Sequence, residues 1–192
     1  MFELSEIEEL VNQINLPRLY EIAKNSAQIG NEILKINYNK IQKISSKGRK
    51  GDLVTNVDLE VENKIKEYLL QETPNISIHA EESGKLNKSS DLTWCIDPLD
   101  GTTNYSHGYP FFGSSIGLVY KNNPIIGAIS VPYLSELYSA CIGLGSFCND
   151  IKLKVTSPSN LSDSLLVTGF AYDRFEVEDN NYAEFCLSLI HI

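Results

Sequence analysis

The sequence predicts an α+β domain in which N-terminal helices pack on an antiparallel sheet. Three observations carry that expectation. Apolar residues recur at helical spacing between Ile7 and Leu69, and from Phe112 onward they alternate in short runs separated by turn residues. No internal repeat, low-complexity tract or linker interrupts the two textures, and a run of helices beside a run of strands folds as α+β. The 192 residues, 42% of them apolar, provide material for one core of ordinary size.

Taken in order, Ile7, Leu10, Val11 and Ile14 fall on one helical face. A second helix starts at Pro17, which suits a first helical turn, and carries Leu19, Ile22, Ala23, Ile29 and Ile33 on one side. Ser45 to Gly51 reads as a flexible basic loop, and Asp52 to Thr55 as a short extended piece. Asp58 is expected to be the N-cap of a third helix whose face is Val61, Ile65, Tyr68 and Leu69 and which ends near Thr73-Pro74. Leu92 to Ile96 reads as a short buried strand. Further strands are expected at Ser115 to Tyr120, Ile125 to Val131, Glu136 to Cys141 and Ile151 to Val155, divided by Asn-Asn-Pro, Pro-Tyr and Asn-Asp turns. Tyr182 to Ile192 reads as a helix that begins apolar and stops without a cap.

Composition removes several function classes. A net charge of −9 argues against nucleic acid or an anionic membrane as partner. No run approaches the length of a membrane span, and the opening Met-Phe-Glu-Leu-Ser-Glu lacks the features of a secretion signal, so the expected address is the cytoplasm. Four cysteines form no C-x-x-C pair and three histidines are scattered, which disfavours zinc and a disulfide framework.

Chemistry concentrates in Asp97-Pro98-Leu99-Asp100-Gly101-Thr102-Thr103-Asn104, directly after the buried run. Acidic side chains at a strand end surround a point that a ligand can reach. Pro98 fixes its own φ and biases Asp97 toward extended backbone, so the Leu99 carbonyl can turn toward the same point. Gly101 permits close backbone approach, and Thr-Thr-Asn suits a helix N-terminus that presents N–H groups to phosphate. Two further acidic pairs, Asp52 with Asp58 and Glu81 with Glu82, acquire meaning beside it; singly, Asp58 reads as a cap and Glu81-Glu82 as a solvated turn. If the three pairs converge, mutual repulsion raises pKa values unless divalent cations sit between them. Oxygen donors alone select a hard ion, magnesium first and manganese second.

Rival motifs fail on spacing. An EF-hand loop from Asp97 needs Glu at its twelfth position, which is Gly108. A haloacid-dehalogenase-like phosphatase places its two aspartates two residues apart, whereas Asp97 and Asp100 are three apart. Gly113-Ser114-Ser115-Ile116-Gly117 matches a nucleophile elbow, yet Leu118-Val119-Tyr120 continues a strand where an elbow needs a helix. Ser106-His107 reads as a polar loop.

Gly51 to Asp58, Ala80-Glu81-Glu82-Ser83-Gly84 and Trp94 to Tyr105, in that order and spacing, resemble the inositol monophosphatase family. The likeness continues more loosely through Pro110-Phe111, Gly143 to Asn149 and Leu165 to Thr168. It implies a magnesium-dependent, lithium-sensitive phosphomonoesterase, and a chain forming the first half of a layered α/β/α/β/α fold. Residues 1–160 would then be the metal- and phosphate-binding domain, and 161–192 the beginning of a second α/β half. By the same resemblance Glu81, Asp97, the Leu99 carbonyl and Asp100 would be metal ligands, with Asp58 holding metal-bound water. Thr102, with Glu81 or Asp58, would orient the attacking water, Lys47 would sit near it, and the amides of Gly101, Thr102 and Thr103 would hold phosphate. Thr103-Asn104-Tyr105 resembles the monophosphatase branch, where bisphosphate-nucleotide phosphatases tend to carry lysine in place of Thr103. The implied reaction is direct attack of metal-activated water on a small phosphorylated polyol or sugar, foremost inositol monophosphate. A related sugar or histidinol phosphate is the alternative substrate. Family members end the site with a C-terminal tryptophan-aspartate motif, and Trp94 is the only tryptophan here. A truncated, non-catalytic remnant is therefore the alternative expectation, and a homodimer is expected where the fold is completed.

Overall fold

A computed structural model describes residues 14–40, 44–46, 53–157, 160–165, 167, 170, 177, 180–182, 185 and 186. Helix α1 (Leu16–Asn37) starts where the Asn15 side chain accepts the Arg18 amide and Pro17 occupies the first turn. It buries Leu19, Ile22, Ala23, Ala27 and Leu34, while Ile29 and Ile33 are half-buried at the stripe's edge. The helical period carries the buried line through Gly30 to Leu34 rather than Ile33. A Cβ at Gly30 would lie 2.5 Å from Ser114 Oγ, so glycine is what lets the helix settle on the sheet. The helix expected between Ile7 and Ile14 falls, except for Ile14, outside the described residues.

Strands β1 (Ile44–Ser46) and β2 (Leu53–Thr55) form a small antiparallel pair, so Ser45 and Ser46 belong to a strand and not to the expected loop. Helix α2 (Asn56–Glu72) follows at once, and its N-cap is Thr55, not Asp58. Thr55 Oγ1 accepts the amides of Val57 and Asp58 at 3.2 and 3.4 Å, and the Asp58 carboxylate accepts the Thr55 amide at 2.9 Å. That reciprocal capping box places Asp58 in the first turn instead of before it.

The main sheet runs β10-β9-β8-β7-β6-β5-β3-β4. Its strands are β3 (Ser77–Ala80), β4 (Gly84–Leu86), β5 (Leu92–Asp100), β6 (Gly113–Tyr120), β7 (Asn123–Val131), β8 (Glu136–Cys141), β9 (Gly145–Cys148) and β10 (Ile151–Lys152). Between β5 and β6 lies the short helix α3 (Thr102–Ser106). The α+β class holds, but the sheet is mixed, because β3 pairs parallel with β5 and every other pairing in it is antiparallel. The sequence gives β3, β4 and β9 little apolar signal, since they are three or four residues long. Strand β10 stops at Lys152 rather than Val155, because only its first two residues pair with β9. Among residues 182–192, Tyr182, Phe185 and Cys186 are helical and the others lie outside the described residues.

Helices α1 and α2 cover one face of this sheet. Along β5, Trp94 and Ile96 point into the core beneath them, and Cys95 and Asp97 point the other way, as a two-residue period demands. Trp94 is fully buried, with its Nε1 donating to Thr73 Oγ1 at 3.0 Å at the end of α2. The opposite face, with Ile129 and Tyr138 exposed, is covered by no described element. Among the described residues no helix is long and apolar enough to cross a membrane.

Candidate metal and phosphate site

The site grows from the parallel contact between β3 and β5. Ala80 lies opposite Ile96, and the Glu81 amide donates to the Ile96 carbonyl at 3.0 Å, which brings Glu81 beside Asp97 where the pairing of the two strands ends. The two carboxylates open into a cleft of about 540 Å³ that also reaches Cys95, Ser115 and Gly117. Burial, then the Glu81 carboxylate, then Asp100 push the Asp97 carboxyl up to about 7. The Leu99 amide, donating to Asp97 Oδ1 at 3.2 Å, opposes that shift without cancelling it.

Beyond Asp97 the strand slips register, and pairing with β6 resumes only at Asp100 opposite Gly113. Pro98 has no N–H for the ladder, and the irregular stretch turns the backbone. Leu99 is buried, and its carbonyl accepts the Thr102 hydroxyl at 2.9 Å. Gly101 has φ 86°, and a Cβ there would lie 3.2 Å from the Phe111 carbonyl and 3.3 Å from Phe112 Cα. Both the left-handed backbone and the crowding call for glycine. The chain then enters α3, whose first-turn amides have no partner within the helix.

Asp58 approaches from the helical side. It is 1% exposed, and its Oδ2 takes both the amide and the hydroxyl of Thr55. Its Oδ1 lies 3.3 Å from Thr102 Oγ1. Burial raises the Asp58 pKa, with the Thr55 and Thr102 hydrogen bonds working against the rise. The single Thr102 proton thus has two acceptors, Asp58 and the Leu99 carbonyl, and serves one at a time.

The structure therefore gathers Asp58, Leu99 and Thr102 into one hydrogen-bonded group and sets Glu81 beside Asp97, with Asp100 acting on Asp97 through its charge and the segment 97–102 joining the two sides. Gly101 and Thr103 flank Thr102 at the start of α3. Lys47 and Asp52 lie outside the described residues. Among those residues no three His, Cys, Asp or Glu side chains are close enough to cage an ion by themselves. The donor chemistry nevertheless fits a hard cation, since Glu81 and Asp97 are adjacent carboxylates whose repulsion a divalent ion would relieve, and backbone carbonyls are common further donors to such ions. Two residues of the site went unread in the sequence. Thr55-x-x-Asp58 is a capping-box pattern, and Glu62 interrupts the apolar stripe Val57, Val61, Ile65 and Leu69 one turn after Asp58.

The profile of the inositol monophosphatase family matches residues 15–188. The chain belongs to the inositol monophosphatase family. It is 46% identical over 158 residues to an inositol-1-monophosphatase of Synechocystis sp., covering 82% of this chain and 55% of that protein. A fructose-1,6-bisphosphatase/inositol-1-monophosphatase of Aquifex aeolicus is 41% identical over 158 residues, covering 81% of this chain and 60% of its own length. The solved inositol monophosphatase of Anabaena superposes with a TM-score of 0.77 at 42% identity, over 90% of this chain and 63% of that one. The chain thus spans a little over half the length of the curated relatives it matches.

Proposed function

We propose that this chain forms the metal- and phosphate-binding part of a magnesium-dependent phosphomonoesterase acting on a small phosphorylated polyol, foremost inositol monophosphate. The observation that carries this reading is the Glu81–Asp97 pair, held side by side by the parallel β3–β5 register with the Asp97 carboxyl raised to about 7. Members of the family are metal-dependent phosphatases, and oxygen donors favour magnesium, then manganese. In this reading Glu81, Asp97, Asp100 and the Leu99 carbonyl hold the cation. The cation, when bound, supplies positive charge that shields phosphate oxygens and acidifies a neighbouring water.

The chain's own residues then divide the remaining work. The amides of Gly101, Thr102 and Thr103 at the start of α3 donate to the phosphate oxygens. The Thr102 hydroxyl has both the Leu99 carbonyl and Asp58 as acceptors; with its proton on Asp58 it would keep a lone pair to accept a hydrogen bond from the attacking water, and the Leu99 carbonyl would be free to hold the cation. Water oxygen forms a bond to phosphorus in line with the departing ester oxygen. The P–O bond to the alcohol breaks, one proton of the attacking water passes to the leaving oxygen and the other stays with the phosphate, so the products are the alcohol and hydrogen phosphate. The Aquifex relative's name includes a sugar bisphosphate, so a sugar phosphate is the second substrate to test. A cytoplasmic location and a homodimer belong to the same proposal.

The test is magnesium-dependent release of phosphate from inositol 1-phosphate by the purified chain, with Asp97→Asn as the site control. Turnover lost in that variant is the expected result. A folded chain that binds manganese yet releases no phosphate would leave a binding remnant as the function of this polypeptide.

A further inference from the structure

Glu62 is a carboxylate that the catalytic reading does not use. It is 2% exposed, lies in α2 one turn after Asp58, and its two oxygens accept the backbone amides of Glu82 at 2.7 Å and Ser83 at 3.1 Å. Lys66, a turn further on, comes within 3.9 Å of the same carboxylate and donates to Ser83 Oγ at 2.6 Å. A buried carboxylate is costly to desolvate, and two charge-assisted bonds to backbone donors are the kind of compensation it requires. What these bonds grip is the turn 81–83, whose first residue is the proposed ligand Glu81.

We infer that Glu62 is a positioning residue: it locks the turn after β3 to α2 and thereby fixes the Glu81 carboxylate against Asp97. The neighbouring geometry supports this. The β3–β5 register sets the Glu81 backbone from one side, through the bond from its amide to the Ile96 carbonyl. Glu62 sets the next two peptide units from the other side. Since Asp58 and Glu62 are four residues apart on one helix face, α2 carries both the partner of Thr102 and the clamp on Glu81. The two carboxylate groups of the site are thus spaced by a rigid element rather than by a loop. The consequence is for cation binding: two strongly repelling ligands are held in place before the ion arrives, so less ordering is left for the ion to impose.

This inference rests on the proposed metal centre, and its test separates the two. Manganese alone is titrated against the full chain by electron paramagnetic resonance, for the natural sequence, Glu62→Gln and Glu62→Ala, with circular dichroism and thermal melts alongside. Gln keeps the shape and one acceptor oxygen but presents an amide donor to the other N–H, so it weakens the clamp without emptying the space. The expected result is a loss of manganese affinity of about 10-fold to 100-fold in Glu62→Gln with its melting curve close to the parent's, and a larger loss in Glu62→Ala. Amide exchange at Glu82 and Ser83 should accelerate in the same order. Equal affinity in the parent and in a folded Glu62→Gln overturns the positioning role and leaves the metal centre standing. Absence of manganese binding in the parent overturns the metal centre, and this inference with it.

Discussion

The two sides of the site hold their carboxylates in opposite ways. On the helical side, Asp58 is more deeply buried than Asp97, yet both of its oxygens are engaged by Thr55 and Thr102, and the capping box makes it part of the start of α2. On the strand side, Asp97 receives one backbone amide and otherwise faces Glu81 and Asp100. The first carboxylate is satisfied by the protein and contributes to folding. The second is left in electrostatic debt that a cation removes. A functional group of this second kind is recognisable because the fold tolerates it instead of benefiting from it.

Substitutions on the two sides should therefore part company. The largest effect is expected for Asp97→Asn, which removes the charge of a proposed ligand and should weaken magnesium or manganese binding by roughly 100-fold, about 2.7 kcal/mol. Its thermal midpoint without metal should equal or exceed the parent's, because a repulsive charge is gone. A marked fall in that midpoint would show that Asp97 is held by bonds and not in debt. Asp58→Ala should do the reverse. It orphans the Thr55 amide and hydroxyl and removes half of the capping box, costing about 2 kcal/mol, readable as a lower denaturant midpoint.

The pH dependence of folding extends the contrast. The Asp97 carboxyl titrates near 7 in the folded chain against 3.8 ordinarily, so the folded state binds its proton more tightly than the unfolded state does. Stability is then fully present below about pH 4 and is lost as pH rises through about 7. For a group open to a cleft, solvent screening reduces this to on the order of 1 kcal/mol. Denaturant melts of the metal-free chain from pH 5 to pH 8 should show the decline, Asp97→Asn should lessen it while leaving the share of the likewise raised Asp58, and saturating magnesium should flatten the Asp97 share.

How far this contrast could be read in advance varies by residue. The segment Asp97 to Thr103 announced itself, because a proline, a glycine and two acids after an apolar strand leave few structural explanations. Glu81 gains meaning only in company, since the strand that delivers it is four residues long and pairs in parallel with residues 93 to 96, sixteen positions on along the chain. No local period reports such a pairing. Asp58 has the residue type of a cap, yet Thr55 holds that place, as the Thr-x-x-Asp spacing of a capping box demands. Glu62 was hidden by convention: an acid in a helix is taken for solvated surface until the structure shows which turn lies over it. The helical stripe of α1 and the strands from Ser115 to Cys141 were legible because both periods run long enough to count.

Thr102 links the two sides, and the smallest of the expected effects bears on it most directly. Its hydroxyl lies 2.9 Å from the Leu99 carbonyl and 3.3 Å from Asp58 Oδ1, so one proton is shared between a strand-side and a helix-side acceptor. Thr102→Val keeps the shape and removes the proton. A double-mutant cycle with Asp58→Ala should give a coupling of about 0.5 kcal/mol in the metal-free chain, small because the shorter bond goes to Leu99. On the proposed ligand set, magnesium would draw the Leu99 carbonyl and leave the proton to Asp58, so the same cycle should return a larger coupling. An unchanged value would mean that Thr102 keeps to the carbonyl throughout, and that the two sides of the site act without exchanging a hydrogen bond.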